Sequence, residues 1–132
     1  IASIVPVRKE LVKGGDDLSE WVKLHCPKSF FKKVEDVAVQ VAVKSINDFV
    51  MTNAQYSEPA KQQFLSGADP FLIGYAKVND YVVCSYEVHA PESKAKVKLP
   101  DVASEFSVQC CQPFDMLREL RVRLRLASNS FK

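Results

Sequence analysis

The sequence predicts an α/β fold built around a buried, mainly parallel sheet. Helical periodicity runs through most of the chain before residue 80, and the apolar segment YVVCS, at 81–85, follows a helix and a tight turn. A second short strand, SVQCC at 107–111, precedes another helix. Apolar strands that alternate with helices are typical of sheets covered by helices. The 132 residues, 47% of them hydrophobic and 26% charged, suit one globular domain spanning 1–132.

Capping residues, prolines and glycines mark the ends of the first two helices. Pro6 suits the first turn of a helix that ends at Gly14. Asp16 or Asp17 can then cap a second helix, which stops before Pro27. Both helices are therefore expected within the first thirty residues or so.

The clearest amphipathic helix begins near Val34. Its many valines have low helix propensity, so tertiary packing must hold it in place. Three- and four-residue steps predict one apolar face. That predicted face consists of Val34, Val37, Ala38, Val41, Ala42, Phe49 and Val50, with Ile46 close to it.

The later elements are shorter. Ser57 caps a helix that Gly67 closes, and Asp69 before Pro70 has the form of a second cap followed by an N-terminal proline. A turn at Asn79 leads into the strand at 81–85. A helix from Pro100, a helix in PFDMLREL and an edge strand in RVRLRL, at 121–126, complete the order.

Several classes of protein are disfavoured by composition. The apolar stretch at 34–51 is interrupted by charged and amide residues, which excludes a membrane-spanning helix there. The four cysteines lack C-x-x-C spacing, so neither a zinc site nor a disulfide framework is predicted, and a cytoplasmic location is the simpler interpretation. With only two histidines, any metal would be held by oxygen, which favours Mg²⁺ or Mn²⁺.

Basic residues concentrate in the C-terminal third. Residues 1–92 contain 10 Lys and Arg against 12 Asp and Glu, whereas residues 93–132 contain 8 against 4. Alternate residues of a strand share one face, so two alternating basic trios would form rows suited to phosphate contacts. Solvated polar faces are the competing interpretation. The trios are Lys94, Lys96 and Lys98, and Arg121, Arg123 and Arg125.

Three acids attract attention by position. Glu87 follows the carboxyl end of the predicted strand at 81–85, where open α/β sheets place their ligands. Asp69 has the simpler explanation of a helix cap, and Glu10 that of a solvated helical acid beside Lys9 or Lys13. The large aromatics favour core packing over a partner surface. These aromatics are Trp21, Phe30, Phe31 and Phe49.

Four segments together resemble the PIN-domain nucleases, in particular the branch related to toxin ribonucleases of toxin–antitoxin pairs. The segments are SIVPVRKELVKGGDDLSEW, GADPFLIGYAK, VVCSYE with the following VHAPESKAKVKLPDV, and FDMLREL. The resemblance implies a three-layer α/β/α sandwich with a central, mainly parallel sheet. It also implies a cluster of acids that binds Mg²⁺ or Mn²⁺ for phosphodiester hydrolysis.

The resemblance assigns roles to individual residues. Glu10, in VRKEL, matches the family's helical Glu; Asp69 matches the Asp that opens the ADPFLIGYA helix, and Glu87 matches the acid after the strand. All three are expected as metal ligands. Ser85 stands where a Ser or Thr commonly orients the site water. The family's first acid ends an N-terminal strand, and that strand–helix unit is expected upstream of Ile1 unless this is a truncated, inactive relative.

The expected function is therefore that of a Mg²⁺- or Mn²⁺-dependent ribonuclease, the toxin of a toxin–antitoxin pair. RNA, an antitoxin protein and a second copy of the chain are the implied partners, with no membrane. A catalytically inactive PIN-like binding module is the alternative, because one acid of the family pattern is missing. The residues expected to guide RNA to the acids are Arg8, Lys13, Lys94, Lys96 and Lys98.

Overall fold

The structure, a computed structural model, describes residues 1–125. In this range, helices and short strands alternate, which confirms the predicted α/β class. The helices are α1 (Val5–Lys13), α2 (Asp17–His25), α3 (Val37–Thr52), α4 (Glu58–Ser66), α5 (Asp69–Asn79), α6 (Leu99–Glu105) and α7 (Pro113–Glu119). The strands are β1 (Ser3–Ile4), β2 (Phe31–Lys32), β3 (Val83–Cys84) and β4 (Cys110–Cys111).

The strands of residues 1–125 form two parallel pairs. Strand β1 pairs with β2, with Ile4 opposite Lys32, and β3 pairs with β4, with Cys84 opposite Cys111. Parallel pairing agrees with the prediction for the two apolar runs. Strand β3 is shorter than the predicted run at 81–85, but hydrogen bonding to the β4 chain extends to Ser85, whose N–H donates to the Cys111 carbonyl at 3.0 Å.

Helix starts follow the capping residues closely. Asp16, rather than Asp17, caps α2, because its carboxylate accepts the Ser19 N–H at 2.9 Å. Ser57 caps α4 through the Ala60 N–H at 3.4 Å, and Gly67 ends that helix as predicted. Each cap satisfies a backbone donor that the first helical turn leaves free.

Helix α3 corrects the predicted apolar face. The helix begins at Val37, after the cap Asp36, so Val34 lies outside it. Val37 and Val41 are 77% and 61% exposed, whereas other side chains of the helix are buried. The prediction failed because nearly every position of the first two turns is apolar, so periodicity could not identify the inward side. The buried face consists of Val39, Ala42, Val43, Ile46 and Val50.

The core has two parts that meet along α3 and α5. The larger cluster joins the C-terminal half of α3 with α4, α5 and α6, around Ile46, Ile73 and Val102, each of them fully buried. The smaller cluster packs Ile4 of β1 against Val39 at the other end of α3. Burial of each such aliphatic side chain contributes about 1.5–3 kcal/mol. Helix α5 contacts both clusters and both strand pairs.

Neither basic trio lies in a strand, so the edge strand predicted at 121–126 is wrong over residues 121–125. Arg121 has a left-handed backbone, with φ 54°, and residues 121–125 form a turn followed by irregular chain. The last residue of the predicted strand at 121–126 lies outside the described residues. Residues 91–98 are also turns and irregular chain, so Lys94, Lys96 and Lys98 do not share a strand face.

The aromatic side chains divide between core and surface. Phe31 is buried, as predicted, and Phe30 and Phe49 are partly buried. Trp21 is 55% exposed, so the prediction that it packs in the core is wrong. Among the described residues, the helices are all too short or too polar to span a membrane.

The contact between α3 and α5 depends on Gly74. A Cβ atom at this position would lie 2.8 Å from Cγ2 of Val43 and 3.3 Å from its backbone nitrogen. Such distances are too short for a side chain, so glycine allows the two helices to approach closely. This packing fixes where α5, and the residue at its start, lie relative to the rest of the chain.

Gly74→Ala should destabilise the protein. Overpacking costs about 1–3 kcal/mol, and the higher helix propensity of alanine offsets only part of this, up to about 1 kcal/mol. Urea denaturation followed by circular dichroism would measure the change. Val41→Ala, at an exposed position of α3, is the control and should change stability by less than about 0.5 kcal/mol. Equal effects of the two substitutions would contradict the close-contact role of Gly74.

Candidate functional site

A pocket of about 370 Å³ lies where α1, the start of α5 and the chain after β3 meet. Three carboxylates that are distant in the sequence, those of Glu10, Asp69 and Glu87, line it together with the ammonium of Lys96. We call this cavity the acid pocket. It brings together the three acids that the sequence singled out.

Glu10 joins α1 to the start of α5. Its Oε1 accepts the N–H of Ala68 at 2.7 Å, across 58 residues of sequence. Glu10, a residue of α1, therefore caps the start of α5. Its carboxylate accepts the hydrogen bond of the backbone N–H just before the first turn of α5.

Asp69 is not the helix cap that the sequence indicated. Ala68 occupies the N-cap position and Asp69 is the first residue of α5, so the Asp69 side chain is not at the position from which a residue caps a helix. Burial, followed by the negative charges of Glu87 and Glu10, raises the pKa of Asp69 to about 6, with Lys96 acting in the opposite direction. Its charge is thus only partly compensated near neutral pH.

Glu87 is held by three neighbouring groups. Its N–H donates to Oγ of Ser85 at 3.1 Å, its Oε2 accepts the Leu99 N–H at 2.8 Å, and its Oε1 pairs with Nζ of Lys96 at 2.8 Å. Burial by itself raises the pKa of Glu87, but the hydrogen bonds from Lys96 and Leu99 outweigh it, so the pKa lies below its ordinary value. Glu87 is therefore held in its ionised form.

Ser85 lies beside the acid pocket but is not among the residues that line it. Its hydroxyl accepts the Glu87 N–H and so shapes the turn that carries Glu87. The predicted role of Ser85 in orienting a site water stays a prediction.

Of the predicted RNA-guiding residues, the structure brings only Lys96 into the acid pocket. Lys94 is exposed, and Lys98 is the partly buried residue before α6, where its charge lowers the pKa of Glu87. Arg8 lies over the ring of Phe31, with Cζ 5.9 Å from the ring centre, and Lys13 is exposed at the end of α1. The five residues therefore do not form one row.

Sequence reasoning missed the residues that hold the chain between β3 and α6. The carboxylate of Asp101 accepts the Ala90 N–H at 3.0 Å and pairs with Nδ1 of His89 at 2.8 Å. Gln55, in the loop before α4, donates to the Ser93 carbonyl at 2.8 Å. Only the position of Asp101 in the first turn of a predicted helix hinted at such a role, because the partners are remote in sequence.

The donors of the acid pocket suit a hard divalent cation in their chemistry. Carboxylate oxygens are the ligands preferred by Mg²⁺ and Mn²⁺. As the side chains stand, however, the part of the chain that the structure describes contains no group of three His, Cys, Asp or Glu side chains arranged to hold a metal ion. Glu10 and Glu87 are engaged with backbone N–H groups and Lys96, so metal binding requires some of these contacts to yield.

The fold and the pocket define an α/β protein with a carboxylate-lined cavity. The family model described as "Domain of unknown function (DUF4411)" matches residues 1–124, and the chain belongs to this family. No curated protein and no solved structure matches it. The family description names no activity.

Asp69→Asn should stabilise the protein at neutral pH when divalent ions are chelated. An unfolded Asp titrates near 3.8 and Asp69 at about 6, so wild-type stability falls as pH rises through that window. The Asn variant lacks this loss and should be more stable at pH 7 by about 1–3 kcal/mol, with the advantage disappearing below about pH 4.

Urea unfolding across this pH range would measure the difference. The control is Asp80→Asn, which makes the same change at the exposed, left-handed C-cap of α5. Asparagine tolerates that left-handed backbone, so this variant should unfold like wild type. A stability difference at Asp69 that does not depend on pH would contradict the raised pKa.

Proposed function

We propose that this protein is a metal-dependent ribonuclease that hydrolyses phosphodiester bonds with Mg²⁺ or Mn²⁺ held by Glu10, Asp69 and Glu87. One observation carries the proposal: carboxylates from α1, from the start of α5 and from the chain after β3 line a single pocket. The partly uncompensated charge of Asp69 supports it, because a bound cation would stabilise the ionised form of this carboxylate.

Each carboxylate would contribute differently. Glu87 supplies an ionised carboxylate that pairs with Lys96 in the metal-free pocket, and Asp69 supplies the buried charge. Glu10 keeps one oxygen on the Ala68 N–H, which holds the start of α5 in place. A divalent ion bound there would polarise the phosphoryl group and lower the pKa of a bound water.

The finer fold prediction, a three-layer sandwich with one central sheet, is part of this proposal. An apolar groove of about 990 Å³ separates the two strand pairs, and α5 lies against it. Val83 and Ser85 donate their N–H groups to carbonyls of the β4 chain. The N–H and C=O groups of Cys84, which lies between them, therefore point away from β4. An additional strand in the groove would join the two strand pairs into one sheet. The PIN domains that the sequence resembles have such a strand, and it ends in Asp.

The biological role is proposed through the resemblance to PIN domains alone. By this resemblance, the protein is proposed as the toxin ribonuclease of a toxin–antitoxin pair in the cytoplasm. An antitoxin protein and a second copy of the chain are then the proposed protein partners. The exposed side chains of α2 offer apolar surface for such contacts, Trp21 and Leu24 being 55% and 76% exposed.

A PIN-like binding module without catalysis is the second candidate. It is favoured by the contacts that already satisfy Glu10 and Glu87, and by the lack of a ready-made three-ligand metal group within residues 1–125. This candidate predicts RNA or protein binding that divalent ions do not affect. Cleavage assays therefore separate the two functions.

Cleavage of RNA should require both the divalent ion and Asp69. With Mn²⁺ or Mg²⁺ the wild-type protein should cleave a mixed single-stranded RNA, and a chelator should abolish cleavage. Asp69→Asn should reduce the rate at least about 100-fold, because it removes the buried negative charge that stabilises the cation. Gel electrophoresis of end-labelled RNA measures both effects.

Asp80→Asn again serves as the matched control, because it lies at the opposite end of α5, outside the acid pocket. It should cleave at the wild-type rate. Cleavage that persists in Asp69→Asn and in chelator would exclude the proposed mechanism. RNA binding without cleavage in every protein would favour the binding module.

Lys94 and Lys98 should contribute to RNA affinity through phosphate contacts. If both contact phosphates, replacing them together with Met should weaken binding and reduce the slope of log K against log salt by about 1.4, since each contact with single-stranded nucleic acid contributes about 0.7. Fluorescence anisotropy at several salt concentrations, in chelator, measures this slope. Lys28→Met with Lys33→Met, at two exposed positions around β2, is the charge-matched control, and an equal decrease there would show that the effect is not local to the 94–98 segment.

A further inference from the structure

Lys96 differs from the lysines on either side of it. Lys94 is exposed, and Lys98 is the residue before α6. Neither of these two lysines lines the acid pocket. The Lys96 ammonium instead lies 2.8 Å from Oε1 of Glu87, with half of its side chain still exposed to solvent. One lysine of the three is thus directed at the acids.

The backbone around Lys96 is held firmly. The Lys96 carbonyl accepts the hydroxyl of Ser93 at 2.7 Å, and Val97, the next residue, is buried. Two residues further on, the Leu99 N–H donates to Glu87 itself. The segment therefore places the Lys96 side chain beside Glu87, while the exposed part of the side chain leaves it free to turn outward.

The negative charges of the acid pocket attract the ammonium of Lys96. Three carboxylates in one cavity repel one another, and among residues 1–125 Lys96 is the single basic side chain in the lining. Its charge favours the ionised forms of both Glu87 and Asp69. A divalent cation bound to the same acids would repel the ammonium and satisfy the same oxygens more strongly.

We propose that Lys96 is the internal counter-cation of the acid pocket, and that its ammonium and the divalent ion exchange at Glu87. This inference rests on the proposed function and deepens it by naming the group that competes with the metal. Without metal, Lys96 neutralises Glu87. With metal, Lys96 turns to the rim of the pocket, where it faces the anionic substrate.

Mn²⁺ titration of the full chain, followed by electron paramagnetic resonance of the free ion near neutral pH, tests the exchange. Lys96→Met should bind Mn²⁺ about two- to fivefold more tightly than wild type, the range expected for losing a partly exposed competing ion pair. Lys96→Arg keeps the positive charge and should bind like wild type. Lys94→Met removes a charge from the same segment outside the pocket and is the matched control.

The outcomes separate this inference from the proposed function. Tighter binding in Lys96→Met, but not in Lys96→Arg or Lys94→Met, supports the exchange. Mn²⁺ binding by wild type that Lys96→Met leaves unchanged or weakens overturns the exchange alone. Equal tightening in Lys94→Met also overturns it, since only general charge would then matter. Absence of Mn²⁺ binding in all four proteins overturns both the exchange and the metal-dependent function.

Discussion

The close packing of α5 against α3 at Gly74 is the constraint on which the rest of the structure depends. Helix α5 lies between the two core clusters and contacts both strand pairs, so its position sets theirs. Its first residue is Asp69, and the Glu10 carboxylate of α1 holds the N–H just before it. A shift of α5 would therefore disturb the core and the acid pocket together.

In the acid pocket, the unfavourable burial of one carboxylate is combined with favourable ion pairing of another. Burial among like charges raises the pKa of Asp69 to about 6, which costs stability, while Glu87 is kept ionised by Lys96 and the Leu99 N–H. Strongly shifted pKa values cluster at functional sites. The same acids that strain the metal-free pocket are the ones that a cation would stabilise, so the loss of stability and the proposed activity have one origin.

Sequence reasoning found the acids but not their local roles. The positions of Glu10, Asp69 and Glu87 and the resemblance to PIN domains predict them as site residues, and all three line one pocket. The cap assigned to Asp69 was wrong, because Ala68 takes that position and Glu10 supplies the hydrogen bond from 58 residues away. Lys96 was predicted only as one of several RNA-guiding lysines, since its contact with Glu87 arises from a loop whose shape no local pattern specifies.

The sequence by itself determined the α/β class, the two apolar strands that pair as β3 and β4, and most helix ends, because caps such as Asp16 and Ser57 act within a few residues. It did not indicate the pair β1 and β2, which are two residues long each. It could not decide which side of α3 is buried, because apolar residues surround its first two turns. That choice came from the fit of Val43 against Gly74. The pairing of Glu87 with Lys96 was likewise decided only by tertiary structure, since long-range hydrogen bonds and burial set the distances between charges.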